Sequence, residues 1–569
     1  MARLFDEHIL RQTKPLSCTW KFKTDEGDVG LAEQWYLGLE NAESVTVPSL
    51  WNNESGLLDY EGAAWYQKQF HTNGGCLRFV FEAVMTSADV WLDGTHLGTH
   101  YGGFTAFDFI VRNVSAGMHT LSVRADNRFD EHSIPQKKVD WYHYGGIPRD
   151  VSVETLSGIA VLSCRLEYEL NDALDRASCR FVATLYNADE ECHSSTFSAS
   201  VGDVTVSLDQ VTLSAGETQV LTTQLFDVSS PRLWDPDSPI LYPISVYTDT
   251  DDLIDRIGFR KIEIRDGQIL LNGRKLELRG ANRHEEHPDW GFAFPPKLMK
   301  KDLDIAFDLG CNALRGSHYP NSKIFLDLLD ERGMLFWSEI PIWGCGFSEA
   351  ALTDPIVISR GLEMHREMLE QYYNHPSIII WGMHNEILTN TESALPITKC
   401  YYDFLKKNGG NRLVTYASHK PMEDICFEYC DMICINLYFG WYQGKISSWD
   451  AFVNDLRDRR DLLGFSEKPV VISEFGAAAL YGHHTFDNIP WTEEYQAELF
   501  THCIELFHGD PMIVGCYIWQ FCDIRTAPEM GLNRARGFNN KGILNEFRKP
   551  KSAYRAIKTL YTRYRSEER

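Results

Sequence analysis

Downstream of Asn272-Gly273 the chain alternates eight short apolar runs with stretches patterned for helices, and few folds accommodate that rhythm. The runs are Leu276 to Asn282, Cys311 to Tyr319, Leu335 to Pro341, Ser377 to Glu386, Leu413 to Ser418, Met432 to Tyr438, Pro469 to Gly476 and Ile513 to Phe521. Amphipathic segments such as Lys297 to Leu309 and Thr492 to Phe507 lie between them. About 300 residues so arranged predict a (β/α)8 TIM barrel. The chemistry of such barrels sits at the strand C-termini, where these runs end on His318, Glu339, Glu386, Tyr438, Glu474 and Trp519.

The whole chain of 569 residues exceeds what one core supports and implies roughly three or four domains. Residues 1–157 carry short alternating runs, Leu77 to Glu82 and Ala88 to Leu92 with Asp93-Gly94 after it, which predict an antiparallel sandwich. Residues 158–265 are again strand-rich, clearest at Cys179 to Leu185 and Leu241 to Tyr247, and fit an immunoglobulin-like sandwich. The barrel is expected over 266–569. The architecture is therefore multidomain, all-β followed by α/β.

Two barrel runs finish on acids. Ser377 to Glu386 and Pro469 to Glu474 climb through strand residues and stop at a carboxylate, where burial without a partner or a use costs several kcal/mol. The runs are the fourth and seventh, so the acids stand across the barrel mouth from each other. Glycoside hydrolysis needs such a pair, one carboxyl protonated for the leaving oxygen and one ionised to attack the anomeric carbon or activate water. Asn385 beside the acid is placed to bind a sugar hydroxyl. Taken singly, either acid could equally be a salt-bridge partner.

A formal charge of −25 opposes binding to nucleic acid or an anionic membrane, and it requires local positive charge in any site that takes an anionic substrate. The opening Met1 to His8 has no apolar core of signal-peptide length, and no later run approaches the ~20 residues of a membrane span. The fourteen cysteines lack paired metal-ligand spacing and read as reduced thiols of a cytoplasmic protein. No metal and no cofactor is expected.

Several stretches carry a resemblance over most of the chain: Gly258-Phe259-Arg260, Leu271-Asn272-Gly273, Arg283-His284-Glu285, Arg315 to Pro320, His375-Pro376-Ser377, Asn385-Glu386 and Ser473 to Gly476. They resemble glycoside hydrolase family 2, in the family's order of sugar-binding jelly roll, immunoglobulin-like sandwich and catalytic barrel. The resemblance implies a retaining mechanism with Glu386 as acid/base and Glu474 as nucleophile.

The tail, Arg534 to Ile543 leading into Arg548-Lys549-Pro550-Lys551, is similar to the β-glucuronidase branch. There an Asn-x-Lys pair grips the sugar's C6 carboxylate, places that Asn539 and Lys541 occupy here. The same branch implies that Tyr438 and Tyr442 line the sugar ring, that Trp519 floors the pocket, that His318 faces it, and that Asp140 of the first domain reaches the sugar's far hydroxyls. Where the branch usually has one basic residue this chain has Ala535, flanked by Arg534 and Arg536, and Arg536 is expected to face the substrate. Ile387 replaces a usual Pro, and Ser338-Glu339 replaces an Asp-Glu pair. The implied activity is release of glucuronate from β-D-glucuronides, small or oligomeric, with β-galacturonidase or a dual β-hexuronidase as the alternative. A β-galactosidase gives no reason for Asn539 and Lys541. A non-catalytic carbohydrate-binding protein would be marked by loss of a glutamate or of Asn385, and all three are present. Family resemblance implies a homo-oligomer, tetramer or dimer.

Overall fold

The structure, a computed structural model, describes residues 3–531 and 534–567. Its first sandwich packs a six-stranded antiparallel sheet around Ala63–Thr72 and Gly117–Asp126 against a four-stranded one around Gly75–Phe81 and Val151–Leu156. Alternate residues of these strands, Tyr66, Leu121 and Val123 from one and Leu77, Phe79 and Phe81 from the other, share one core. This jelly-roll domain is followed by the second sandwich, whose sheets centre on Ile159–Leu170 with Arg176–Asn187 and on His193–Val201 with Tyr242–Tyr247. Residues 3–11 run outside the first sandwich and strap the other two domains together. Arg3 donates to Asp327 of the barrel at 2.7 Å, while the backbone amides of Ile9, Leu10 and Arg11 all donate to Asp252.

The barrel closes through eight parallel strands: β1 (Leu278–Asn282), β2 (Ala313–Gly316), β3 (Leu335–Glu339), β4 (Ile378–Asn385), β5 (Leu413–Ser418), β6 (Ile433–Asn436), β7 (Val470–Phe475) and β8 (Ile513–Ile518). Every one of these residues is buried, so the sequence shows unbroken apolar runs instead of alternation. The helices conform to their caps. Helix α1 (Pro296–Leu309) starts on a proline whose missing N–H costs nothing there and stops at Gly310, which adopts the left-handed conformation at φ 95°. Helix α2 (Glu493–His508) is capped by the Thr492 side chain, which accepts from the Tyr495 amide. A hairpin, Ile262–Arg265 with Gln268–Leu271, plugs the bottom of the barrel through Ile262, Ile269 and Leu271 and leaves the C-terminal mouth for chemistry. Among the described residues no helix is long and apolar enough to cross a membrane.

The first domain reaches that mouth. Its segment before Gly146–Ile147 buries Trp141 against the His318 and His284 rings, 5.5 and 5.8 Å between centroids, and carries Asp140 with it.

Candidate active site

Arg315, at the end of β2 and wholly buried, is the hub of the mouth. Its Nη1 donates to Glu474 at 2.8 Å and to Asn282 at 3.1 Å, its Nη2 to Asn385 at 2.7 Å and Glu339 at 2.9 Å, and its Nε to Glu339 at 3.0 Å. One guanidinium therefore ties the ends of β1, β2, β3, β4 and β7 together, a use for its five donors that lysine could not match. Asn436, ending β6, closes the ring. Its Nδ2 donates to Glu386 at 2.7 Å and to Asn385 at 3.0 Å, while its Oδ1 accepts from Ser473, the neighbour of Glu474, at 2.6 Å.

Glu386, just after β4, and Glu474, in β7, are thus held in one hydrogen-bond network. Glu386 has φ 54°, a left-handed backbone that costs a non-glycine residue about 1–3 kcal/mol. Its amide is held by the Ala417 carbonyl at 2.9 Å, and its side chain is partly exposed. Glu474 is 3% exposed. Burial first, and the charge of Glu386 second, push its carboxyl up to about 8, against the pull of Arg315 and of the Tyr438 hydroxyl, which donates to Oε2 at 2.6 Å. Glu474 has a guanidinium and a phenol as donors, Glu386 a single neutral amide.

Around the acids stand polar atoms without partners. Asn385 Nδ2, His318 Nε2 and His284 Nε2 are buried and unbonded. Burial holds both imidazoles well below the ordinary histidine range, so they are neutral. The Trp519 ring stacks on His318 at 5.2 Å and meets His284 edge-on at 5.6 Å, forming one wall of the pocket.

Lys541 is 1% exposed. Its Nζ donates to the Tyr442 hydroxyl at 2.7 Å and lies 4.7 Å from that ring and 5.4 Å from the ring of Tyr438. Among the described residues no carboxylate pairs with it. Asn539 is fully buried beside it, its Oδ1 accepting from the Lys541 amide at 3.2 Å and its Nδ2 donating to Asp140 at 2.8 Å.

Two expectations change here. Arg536 does not join the site: it is half exposed, adopts φ 63°, and turns to Glu546 at 2.8 Å and Asn540 at 3.1 Å. Arg534 stands at the pocket instead, donating to the Tyr442 hydroxyl at 2.9 Å and gripping Asp140 through Nε at 3.1 Å and Nη2 at 2.5 Å. Asp140 accordingly arrives as expected, but with both oxygens already engaged by Arg534 and Asn539. A two-residue shift in which side chain faces inward left no trace in the sequence. Arg315 and Asn436 were not singled out for roles either, since each acts by joining strands distant in the chain.

A trio with metal-ligand character, Asp327, Asp330 and His375, lies away from the mouth, and its members are matched to one another and to Arg3.

Three family descriptions match the chain in succession: the glycosyl hydrolases family 2 sugar binding domain over 13–157, glycosyl hydrolases family 2 over 159–260, and the family 2 TIM barrel domain over 262–566. A curated β-glucuronidase of Paenibacillus borealis is 26% identical, covering 97% of both chains. Among solved structures, a β-galacturonidase from Eisenbergiella tayi bound to galacturonate is 33% identical with a TM-score of 0.91, covering 99% of both chains. A β-glucuronidase from Ruminococcus gnavus in complex with D-glucuronic acid is 25% identical with a TM-score of 0.86, again over 99% of each.

Proposed function

The chain belongs to glycoside hydrolase family 2, and within it we propose a retaining β-hexuronidase, in which Glu386 is acid/base, Glu474 nucleophile, and Lys541 with Asn539 the anchor of the sugar's C6 carboxylate. The observation that carries the uronide reading is the buried Lys541 ammonium whose contacts are a phenol and aromatic faces. A buried cation without a counter-ion is costly, and a substrate carboxylate supplies one. The relatives named for uronides point the same way.

In the proposed cycle the Glu386 carboxyl gives its proton to the glycosidic oxygen as a Glu474 oxygen bonds to the anomeric carbon, and the aglycone leaves as an alcohol. Glu386, now ionised, takes a proton from water as that water attacks the same carbon and releases Glu474. Uronate departs with its β configuration kept. Arg315 and Tyr438 hold the nucleophile still and take up the charge it regains.

Configuration at C4 divides two readings. The β-glucuronidase relatives favour the gluco sugar. The galacto sugar is favoured by the higher identity to the β-galacturonidase and by Asp140, whose oxygens are bound by Arg534 and Asn539 rather than turned free toward a hydroxyl. Matched aryl β-glucuronide, β-galacturonide and β-galactoside, compared by kcat/KM, separate them. Either uronide should exceed the galactoside, and a faster galactoside sinks the anchor. Glu474→Ala and Glu386→Ala should each lose turnover by orders of magnitude. With azide, Glu474→Ala should yield the α-glycosyl azide and Glu386→Ala the β, and the reverse would exchange the roles.

A further inference from the structure

Three carboxyls, Glu339, Glu386 and Glu474, converge on a mouth with a single arginine at its centre, and the cycle uses only two of them. Glu339 is completely buried and takes two of the Arg315 donors, Nε and Nη2, in a two-point contact, leaving Glu474 one bond to Nη1. Its Oε1 also meets His318 Nδ1 at 2.7 Å, a nitrogen that Arg315 Nη2 approaches at 3.3 Å. The Trp337 ring lies beneath, its centroid 4.6 Å from the guanidinium carbon.

We infer that Glu339 is a positioning residue for the nucleophile: by sharing the charge of Arg315 it keeps Glu474 from becoming the sole counter-ion of a buried guanidinium, and so keeps it basic enough to attack. This rests on Glu474 being the nucleophile. An unshared Arg315–Glu474 pair would be the better ion pair and the poorer nucleophile, because an opposite charge in contact lowers a carboxyl's basicity. The groups facing Glu474 are Arg315 and His318 from the end of β2, Glu339 from β3, Glu386 from β4 and Tyr438 after β6. Asn282 of β1 and Trp519 after β8 bear no charge. His318 is held neutral, and Glu339, whose carboxyl burial pushes up and Arg315 pulls down, meets the guanidinium at two points against the one of Glu474.

Glu339→Gln keeps the shape and removes the charge. On an aryl β-uronide its acid limb in kcat/KM should move about one pH unit lower, and kcat should fall while KM changes little. Removing a like charge near Glu474 lowers its pKa, which gives the direction. An unmoved acid limb in folded Glu339→Gln overturns the inference, as does a loss confined to KM or to the melting temperature. Glu339→Asp retains the charge but is too short for the two-point contact. Its acid limb should stay within a few tenths of a unit while kcat falls, and a limb displaced there, or an unchanged kcat, also overturns it. Full activity in Glu474→Ala would remove the nucleophile assignment itself, a separate failure.

Discussion

Lys541 and Lys551 are both about 1% exposed and lie on the same tail, yet their surroundings differ in kind. Lys551 donates to Asp523 at 2.8 Å and to the carbonyls of Ala479 and Asn540 at 2.7 and 3.0 Å, so all three of its protons and its charge are matched. Lys541 has one phenol and three aromatic faces. The first lysine is scaffold and the second is poised for a ligand. The scaffold serves the site: Asp523 also accepts the Gly542 amide at 3.0 Å, and a side chain at Gly542 would collide with the Asp523 backbone at 2.2 Å, so the loop bearing Lys541 is pinned from beneath.

The contrast can be broken most forcefully at Lys551. Lys551→Met takes from the buried Asp523 its nearer cation, leaving Arg536 at 3.9 Å, and should cost about 1–3 kcal/mol in urea unfolding, with neutral and anionic glycosides losing turnover together. Lys541→Met removes a buried charge that has no counter-ion, so stability should hold or rise. Uronide kcat/KM should drop by about 10- to 150-fold, as expected for a contact of about 1.5–3 kcal/mol, with the neutral glycoside little affected. Equal losses on both substrates would make Lys541 scaffold as well. Asp523 tests the scaffold by pH. Burial raises its carboxyl to about 7, so the folded protein binds a proton there that the unfolded chain has released. The stability it contributes is full below the ordinary carboxylate range and declines as pH rises through about 7. Asp523→Asn should flatten that part of the stability profile, and an unchanged slope would assign it elsewhere. The smallest effect belongs to Tyr442→Phe, which takes one acceptor from both Lys541 and Arg534 and should raise uronide KM by about 1 kcal/mol in binding.

Much of the barrel was legible because its strands are buried on both faces. Leu413 to Ser418 coincides with β5 from end to end, while Cys311 to Tyr319 shrinks to Ala313–Gly316 because Ser317 and His318 already belong to the site. Arg534 and Arg536 show the opposite case. Both are polar residues in one polar stretch, and their directions follow from Asp140 on another domain and from Glu546 on a later turn. No local pattern reports either partner.

By itself the sequence determined the alternation of strand and helix, the two glutamates at the C-terminal ends of the β4 and β7 runs, and the Asn-x-Lys spacing, since burial periodicity and run ends are properties of adjacent residues. Tertiary structure alone decided that Arg315 joins the ends of five strands, that Glu339 shares its charge, that Arg534 rather than Arg536 enters the pocket, and which lysine keeps an unmatched charge. Each of those depends on distances between groups far apart in the chain, and the energy of a buried ion is set by what surrounds it, not by its neighbours in sequence.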